Sequence, residues 1–379
     1  MPLRIAVGIT MLVLLLAGGA GAATITVDDS GGADYIRIQD AINNAASDDT
    51  ILVYEGTYFE HVNVTKQLIL RGMETGAGKP VVDAGRSGDA ITLSADNITL
   101  DGFNATNASS WYAGIMVSSN NNTLIGNEIS GNNYGINLWY SGNNTINGNN
   151  ISTNGIGIVL YSSGKNTLHG NNIQNSSYSI YMFSSSDNNT IFNNIFNSTN
   201  NLGLSGMNNN TWNTTKTESA NIVNGPYIGG NFWLVPDGMG YSLTCTDADR
   251  DGICDSNYAL TSENTDYLPL ASARYNVSGN VTNSSTGSGI SGARIELVEY
   301  PGYNATTNST GYYNMSIPAG TYNIIASCQG YAPDRKTIIV DGDRRLDFIC
   351  NISSGIFIPW IAYSQTDWYT PIQIQNIDT

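Results

Sequence analysis

The chain has 379 residues, enough for two or three domains, and its net charge is −16. Only 12% of the residues are charged, and Lys and Arg are too scattered for a nucleic-acid-binding protein, whose affinity depends on clustered positive charge. Apolar and aromatic residues are nevertheless plentiful and regularly placed, which excludes an intrinsically disordered chain.

Residues 1–23 are predicted to be a signal peptide. Arg4 supplies the positive charge, residues 5–16 form the apolar segment, and residues 20–22 (Ala-Gly-Ala) match a small-residue cleavage site. A retained membrane anchor is the alternative, but glycines interrupt the apolar run before the length of about 18 residues that a span needs. We therefore expect a secreted or cell-surface protein whose mature chain has no membrane span.

The next elements in chain order are one helix and several strands. Residues 35–45 place Ile38, Ala41 and Ile42 on one face, which is typical of an amphipathic helix capping a larger fold. Residues 50–54, 56–58 and 68–72 then have the apolar alternation of strands.

Charged residues near these strands are the best candidates for catalysis. Glycoside hydrolysis requires two carboxylates on either side of the scissile bond. The candidates are Asp83, Asp89, Asp96 and Asp101, with Arg71 and Arg86. Solvation of surface loops explains the same residues, and no catalytic residue is assigned.

Further along, Lys165 and Asp187 are 22 residues apart and are predicted to form an exposed ion pair.

A repeat of about 22 residues occupies the middle of the chain. An Asn-Thr-Leu/Ile motif places its threonines at residues 123, 145, 167 and 190, and a Gly-Ile-x-Leu motif alternates with it. Each unit holds only short strands and turns, which predicts an all-β fold, a parallel β-helix of stacked coils. The predicted inward columns are Leu124, Ile146, Leu168 and Ile191; Ile115, Ile136, Ile158 and Ile180; and Val117, Leu138, Leu160 and Met182.

Asparagine recurs in the same register and is predicted to form a buried ladder of amides. Its members are Asn127, Asn149, Asn171 and Asn194, and Phe103 takes their place in the first coil. A buried amide without a partner costs about 1–3 kcal/mol, so these residues make sense only if each side chain donates to the next.

An aromatic face is the candidate binding surface of the β-helix. Three of its residues directly follow inward-pointing ones, so they are expected to point outward and stack. The candidate residues are Tyr134, Trp139, Tyr161, Tyr181 and Phe183. Aromatic faces suit carbohydrate or protein partners, although rings that only protect the edges of the coils explain the pattern equally well.

An acidic segment, residues 236–271, is predicted to close the β-helix. Five residues in it match a calcium loop that resembles those of dockerins and thrombospondin type-3 repeats, with one ligand a main-chain carbonyl. The predicted ligands are Asp247, Asp249, Asp251, Ile253 and Asp255. An acidic turn closed by a disulfide is the alternative.

Cysteine pairing and glycosylation are predicted from the exported location. Cys245 and Cys254, and Cys328 and Cys350, are predicted to form two disulfides, because neither pair has the spacing of a redox or zinc motif. Many Asn-x-Ser/Thr sequences predict a glycoprotein, although a chain rich in Asn and Thr produces them by composition alone.

The C-terminal part consists of short strands with turn residues between them. Residues 275–352 resemble the carboxypeptidase-regulatory-like β-sandwich, a domain of the immunoglobulin/transthyretin type. Residues 353–379 are interpreted as the start of a further β domain, in a chain that we suspect to be truncated.

Residues 24–271 resemble the NosD-like family of right-handed parallel β-helix proteins, which is related to pectate lyases. The resemblance rests on Gly-Thr-Tyr-Phe-Glu at 56–60, Gly-Gly-Asn-Phe-Trp at 229–233 and Asp-Tyr-Leu-Pro-Leu at 266–270. Residues 24–235 would form the β-helix itself. The resemblance extends to surface proteins of methanogenic archaea. The copper site associated with the family is not expected here, because the two histidines, His61 and His169, lie far apart.

The leading functional hypothesis is a non-catalytic envelope or adhesion protein with a polysaccharide or a cell-surface glycoprotein as its partner. The second is a carbohydrate-active enzyme, a lyase or a hydrolase. The third is a metal chaperone. Calcium is the one cofactor predicted, in a structural role.

Overall fold

The computed structural model describes residues 21–76, 78–206, 209–236 and 240–352. Most of the predicted signal peptide and the predicted start of a further domain lie outside the described residues. The chain divides into two compact units, Met1–Ala273 and Arg274–Thr379.

The first unit is a parallel β-helix built from three sheets, which confirms the predicted fold class. Sheet 1 contains Thr24–Val27, Thr50–Tyr54, Ile69–Met73, Thr99–Asp101, Thr123–Ile125, Thr145–Asn147, Thr167–His169 and Thr190–Phe192. Sheet 2 contains Thr57–Tyr58, Val81–Asp83, Asn104–Thr106, Glu128–Ser130, Asn150–Ser152, Asn172–Gln174, Ile195–Asn197 and Phe232–Leu234. Sheet 3 contains Val62–Val64, Ile91–Leu93, Ala113–Val117, Tyr134–Trp139, Ile156–Tyr161, Tyr178–Phe183 and Asn200–Ser205.

The register between coils follows the 22-residue repeat. Leu124 pairs with Ile146, and Ile146 pairs with Leu168, in sheet 1. The two columns predicted for sheet 3 pair in the same way, and all twelve predicted inward residues are fully buried. Stacking gives each three-residue strand inside a sheet a partner on both sides, and this satisfies the backbone groups that a strand this short cannot satisfy alone.

The predicted asparagine ladder is confirmed and is longer than predicted. Each Nδ2 from Asn127 through Asn194 donates to the Oδ1 of the next member at 2.9 Å. The main-chain N–H of Phe103 donates to Asn127 Oδ1, so the ladder begins one coil after Phe103, as expected. It continues to Asn231 and ends at Asp266, whose Oδ2 accepts from the Asn231 main chain at 2.7 Å.

A second asparagine ladder, which was not predicted, runs along the turn that precedes the strands of sheet 1, whereas the first ladder follows these strands. Its members are Asn122, Asn144, Asn166, Asn189, Asn210 and Asn264. Both ladders therefore end on one hairpin, formed by Tyr258–Ala259 and Thr265–Asp266. Gly230 passes so close to the Asp266 carboxylate that a Cβ there would collide with it, which explains one glycine of the Gly-Gly-Asn-Phe-Trp segment.

The N-terminal end of the β-helix is closed by the helix Ile38–Asn44, which confirms the predicted cap at a shorter length. Ile38, Ala41 and Ile42 are buried against the first coils. Glu60 stabilises the start of this helix, because its carboxylate accepts the main-chain N–H of Ile38 at 2.8 Å. The glutamate of the Gly-x-Tyr-x-Glu segment thus has a structural role.

The remaining elements of the first unit are short. The helix Tyr241–Thr244 packs against Phe232–Leu234, and Thr217–Glu218 pairs with Tyr227–Ile228. Neither helix of the described residues is long and apolar enough to cross a membrane.

The second unit has two sheets with a core between them, consistent with the predicted sandwich. One sheet contains Arg274–Asn283, Tyr312–Pro318, Tyr331–Ala332, Arg344–Arg345 and Phe348–Ile352. The other contains Arg294–Leu297, Asn304–Thr306, Gly320–Ser327 and Asp334–Val340. Both predicted disulfides are confirmed, and Cys328–Cys350 lies in this core.

Candidate functional site

The predicted aromatic face lies on the outer surface of sheet 3. Trp139 pairs in register with Tyr161, and Tyr161 pairs with Phe183. Their inward neighbours Leu138, Leu160 and Met182 are fully buried, so alternation along the strand turns these rings outward.

The predicted stacking of Trp139, Tyr161 and Phe183 is found for one of the two pairs. Trp139 stacks on Tyr161 at 4.2 Å between centroids and 14° between planes, whereas Tyr161 and Phe183 are tilted by 38° at 6.1 Å. Phe183 instead stacks on Tyr181 at 4.4 Å. The stack covers one face of each partner, and the indole of Trp139 remains 43% exposed.

Two tyrosines differ from the prediction. Tyr134 pairs in register with Ile156 at the start of its strand, so it lies at the opposite end from Trp139. Tyr140, which was not predicted, is 61% exposed and lies edge-on to Trp139 at 5.4 Å. Its positive φ of 49° turns it back toward the stack, and sequence alternation cannot signal such a turn. We call Trp139, Tyr140, Tyr161, Tyr181 and Phe183 the aromatic stripe.

A shallow groove of about 400 Å³ adjoins the aromatic stripe at the turn between sheets 3 and 1. Its lining is polar apart from Tyr140 and two glycines, and comprises Tyr140, Ser141, Gly142, Ser162, Gly164, Lys165, Ser185, Asp187 and Asn188. The predicted ion pair between Lys165 and Asp187 is wrong. Their main chains are hydrogen-bonded at 3.2 Å, but Asp187 Oδ1 accepts the main-chain N–H of Asn209.

The acidic residues proposed for catalysis serve the turns between coils. Asp89 Oδ1 accepts the main-chain N–H of Ala113 at 2.6 Å, and Asp96 does the same for Asn120. Asp101 forms an ion pair with Arg71 at 2.9 Å. Asp101 ends a strand of sheet 1, whereas Asp89 and Asp96 lie before and after the sheet 3 strand Ile91–Leu93, and all three already have partners. They therefore do not form the facing pair that glycoside hydrolysis needs.

His61 and Ser87 form a contact that resembles part of a nucleophilic site. His61 Nδ1 lies 2.7 Å from the main-chain oxygen of Asp89, and Nε2 faces Ser87 Oγ at 3.1 Å. The adjoining main-chain N–H groups of Ser87 and Gly88 donate to Ala84 and Ser109, which leaves them unable to stabilise an oxyanion. The contact therefore lacks a part that acyl transfer requires.

The acidic loop after residue 244 brings three predicted calcium ligands together. Ligand oxygens of Asp247, Asp249 and Asp255 lie within 4.8 Å of one another. Asp251 is drawn away by an ion pair with Lys216, and its Oδ1 accepts the main-chain N–H of Ile253. Burial raises the pKa of Asp247, partly offset by hydrogen bonds from the main chain. The Cys245–Cys254 disulfide encloses the loop.

Comparison with known families accounts for both units. The profile described as periplasmic copper-binding protein (NosD) matches residues 42–238, more than half of the chain. The chain belongs to the NosD family. The carboxypeptidase regulatory-like domain matches residues 276–350, and both resemblances found in the sequence are thereby confirmed.

The side chains that could bind copper in this NosD-family chain do not lie close together among the described residues. His61 precedes a strand of sheet 3, whereas His169 lies in sheet 1, where it stacks on Phe192 at 5.2 Å. Burial lowers the pKa of His169. All four cysteines are in disulfides, and buried Met182 Sδ accepts a hydrogen bond from Asn210. These residues do not fit a copper site.

Solved structures similar to this NosD-family chain share parts of its fold at low identity. Pectin methylesterase from Aspergillus niger is 14% identical over 49% of this chain and 68% of its own, with a TM-score of 0.36. Alginate lyase from Paenibacillus is 17% identical over 48% and 57%, with a TM-score of 0.31. A cohesin–X-dockerin complex from Acetivibrio cellulolyticus is 24% identical over 20% of this chain and 56% of its own, with a TM-score of 0.19. This chain thus covers less than two thirds of the length of the alginate lyase and of the chain from the cohesin–X-dockerin complex. No curated protein matches by sequence.

Proposed function

We propose that the chain is a non-catalytic secreted or cell-surface protein of envelope or adhesion type, and that it binds a glycan through the aromatic stripe. The observation that supports this most directly is the indole of Trp139, which is exposed although Tyr161 covers one of its faces. An aromatic face next to hydroxyl and amide groups suits the apolar face and the hydroxyls of a sugar ring. The two disulfides favour an oxidising location outside the cytoplasm.

The test is glycan binding by Trp139→Ala, measured by calorimetry with a panel of neutral and acidic hexasaccharides. Loss of a central aromatic contact is expected to weaken binding about tenfold, or ~1.4 kcal/mol. Trp111→Ala is the matched control, because Trp111 is 79% exposed and lies just before the sheet 3 strand Ala113–Val117, whereas Trp139 lies at the end of its own strand. Equal binding by wild type and Trp139→Ala would contradict the stripe as the binding surface. Release of reducing ends or unsaturated products from a polysaccharide would contradict a non-catalytic role.

We also propose that calcium stabilises the acidic loop through Asp247, Asp249 and Asp255. The three carboxylates converge, and mutual repulsion at such short range is relieved by a hard divalent cation. Addition of calcium chloride is expected to raise the melting temperature of the wild type and not that of Asp249→Asn. Glu218→Gln, which removes an exposed charge of the same unit, should retain the full response. A melting temperature of the wild type that does not change when calcium chloride is added would contradict the proposal.

A further inference from the structure

One turn position of the β-helix is occupied by asparagine in four coils and by lysine in a fifth. The residues are Asn97, Asn121, Asn143, Lys165 and Asn188, and their φ angles of 61°, 59°, 57°, 61° and 60° are all left-handed. Asparagine tolerates this conformation, whereas a long side chain such as lysine is disfavoured in it. Lys165 therefore occupies its position at a cost in stability, and such exceptions cluster where a side chain is needed for function.

The charge of Lys165 is isolated in both sequence and structure. It is the only Lys or Arg between residues 87 and 215 of a chain with a net charge of −16. In the part of the chain that the structure describes, it forms no ion pair. The nearby Asp187 directs Oδ1 to the main-chain N–H of Asn209 at 2.7 Å. The ammonium group is thus free to meet an external anion.

The groove that contains Lys165 is continuous with the aromatic stripe through Tyr140. Tyr140 lines the groove and also contacts the rings of Trp139 and Tyr161, at 5.4 Å and 5.3 Å. The rest of the lining offers serine hydroxyls, the Asn188 amide and the Asp187 carboxylate, which are partners for sugar hydroxyls. One extended ligand can therefore contact the indole with one residue and Lys165 with another.

We propose that this surface selects an acidic saccharide, with the carboxylate of a uronic acid residue bound by Lys165. The inference rests on the proposed glycan-binding function and adds the charge of the ligand. The groove also contains the Asp187 carboxylate, whose Oδ1 is already bound to the main-chain N–H of Asn209. The ammonium group of Lys165, beside hydroxyl and amide donors, favours a carboxylate over a neutral hydroxymethyl group, and the preference weakens as salt rises.

The experiment compares one hexasaccharide containing glucuronic acid with the same hexasaccharide after reduction of its carboxyl groups to alcohols. The wild type is expected to bind the acidic form at least tenfold more tightly at low salt. Lys165→Asn, which restores the residue of the other coils, should bind both forms equally and melt no lower than the wild type. Arg86→Asn is the matched control, because Arg86 is also an exposed cation at a left-handed turn, with φ of 60°, and it should leave the preference unchanged.

The outcomes separate this inference from the function on which it rests. Equal binding of the two forms by the wild type, with both weakened by Trp139→Ala, would overturn the role of Lys165 and leave the aromatic stripe in place. An acidic preference that persists in Lys165→Asn would also overturn it. Failure of the wild type to bind either form would count against glycan binding as a whole.

Discussion

The buried carboxylate of Asp266 accepts four hydrogen bonds. Its Oδ2 accepts from the main chain and side chain of Asn231 and from Trp233 Nε1, and its Oδ1 accepts from the Leu268 main chain. Burial raises the pKa of Asp266 to about 7, against the lowering effect of these donors. The residue ends the first asparagine ladder, so its ionisation is coupled to folding.

We predict that Asp266→Asn lowers the melting temperature. The difference in melting temperature between the wild type and the variant, here called the deficit, is expected to depend on pH. The amide nitrogen of asparagine would face an N–H donor, which leaves a buried donor unpaired at a cost of about 1–3 kcal/mol. The folded pKa of Asp266, about 7, lies above the value of about 3.9 expected in the unfolded chain. The contribution of Asp266 to the free energy of unfolding is therefore present at low pH and is lost as the pH rises through 7. Because asparagine does not titrate, the deficit should be larger at pH 5 than at pH 8. Glu263→Gln, a neighbouring exposed substitution, is the control. A deficit that grows toward pH 8 would contradict the assignment.

At the scale of single elements, stability rests on identical positions that repeat from coil to coil. The asparagine ladders satisfy the main-chain groups of the turns, because Asn149 accepts from the Asn127 main chain and donates to Leu124 O. The inward aliphatic columns bury apolar surface on every coil. Turn and core are thus stabilised by different residues of one repeat.

We predict that Asn149→Ala destabilises the β-helix by about 2–4 kcal/mol, since it removes the Oδ1 that accepts from both the main-chain N–H and the side-chain amide of buried Asn127, and it also removes the hydrogen bond that Asn149 Nδ2 donates to Asn171. Asn150→Ala is the matched control, because Asn150 is exposed in the adjacent position and should change little. Thermal unfolding followed by circular dichroism measures both. Similar melting temperatures for the two variants would show that the ladder contributes little.

Periodicity explains what could be predicted from the sequence and what could not. The core columns and the first ladder follow from a 22-residue spacing, because stacked coils bring equivalent residues together. The second ladder has the same spacing, but its asparagines lie in Asn-Thr segments that are also typical of ordinary turns. Asn264 and Asp266 lie outside the repeat, so the sequence predicted that their segment closes the β-helix but not that these two residues end the ladders. The direction of the Asp187 side chain depends on local turn geometry, which spacing does not determine.

At the scale of the whole molecule, each disulfide lies within one unit. Cys245–Cys254 is in the first unit, and Cys328–Cys350 is in the second. The second unit has a smaller core, so a cross-link enclosing 22 residues contributes a large share of its stability, about 3 kcal/mol by loop entropy.

We predict that Cys328→Ala with Cys350→Ala lowers the unfolding transition of the sandwich and leaves that of the β-helix in place. Scanning calorimetry of the full chain measures both transitions. The pair Cys245→Ala and Cys254→Ala is the reciprocal control and should shift only the β-helix transition. A common shift of the whole profile in both variants would mean that the two units unfold together.

The asparagine ladders also make the length of the β-helix adjustable. Both ends are closed by particular residues, Glu60 at one end and Asn264 and Asp266 at the other. The coils that contain Asn127, Asn149 and Asn171 offer the same donors and acceptors to their neighbours. A further 22-residue unit could be inserted between two coils without changing either end, and it would lengthen the molecule by about 4.8 Å. Insertion of coils would therefore change the position of a binding surface along the axis of the β-helix in steps of one coil.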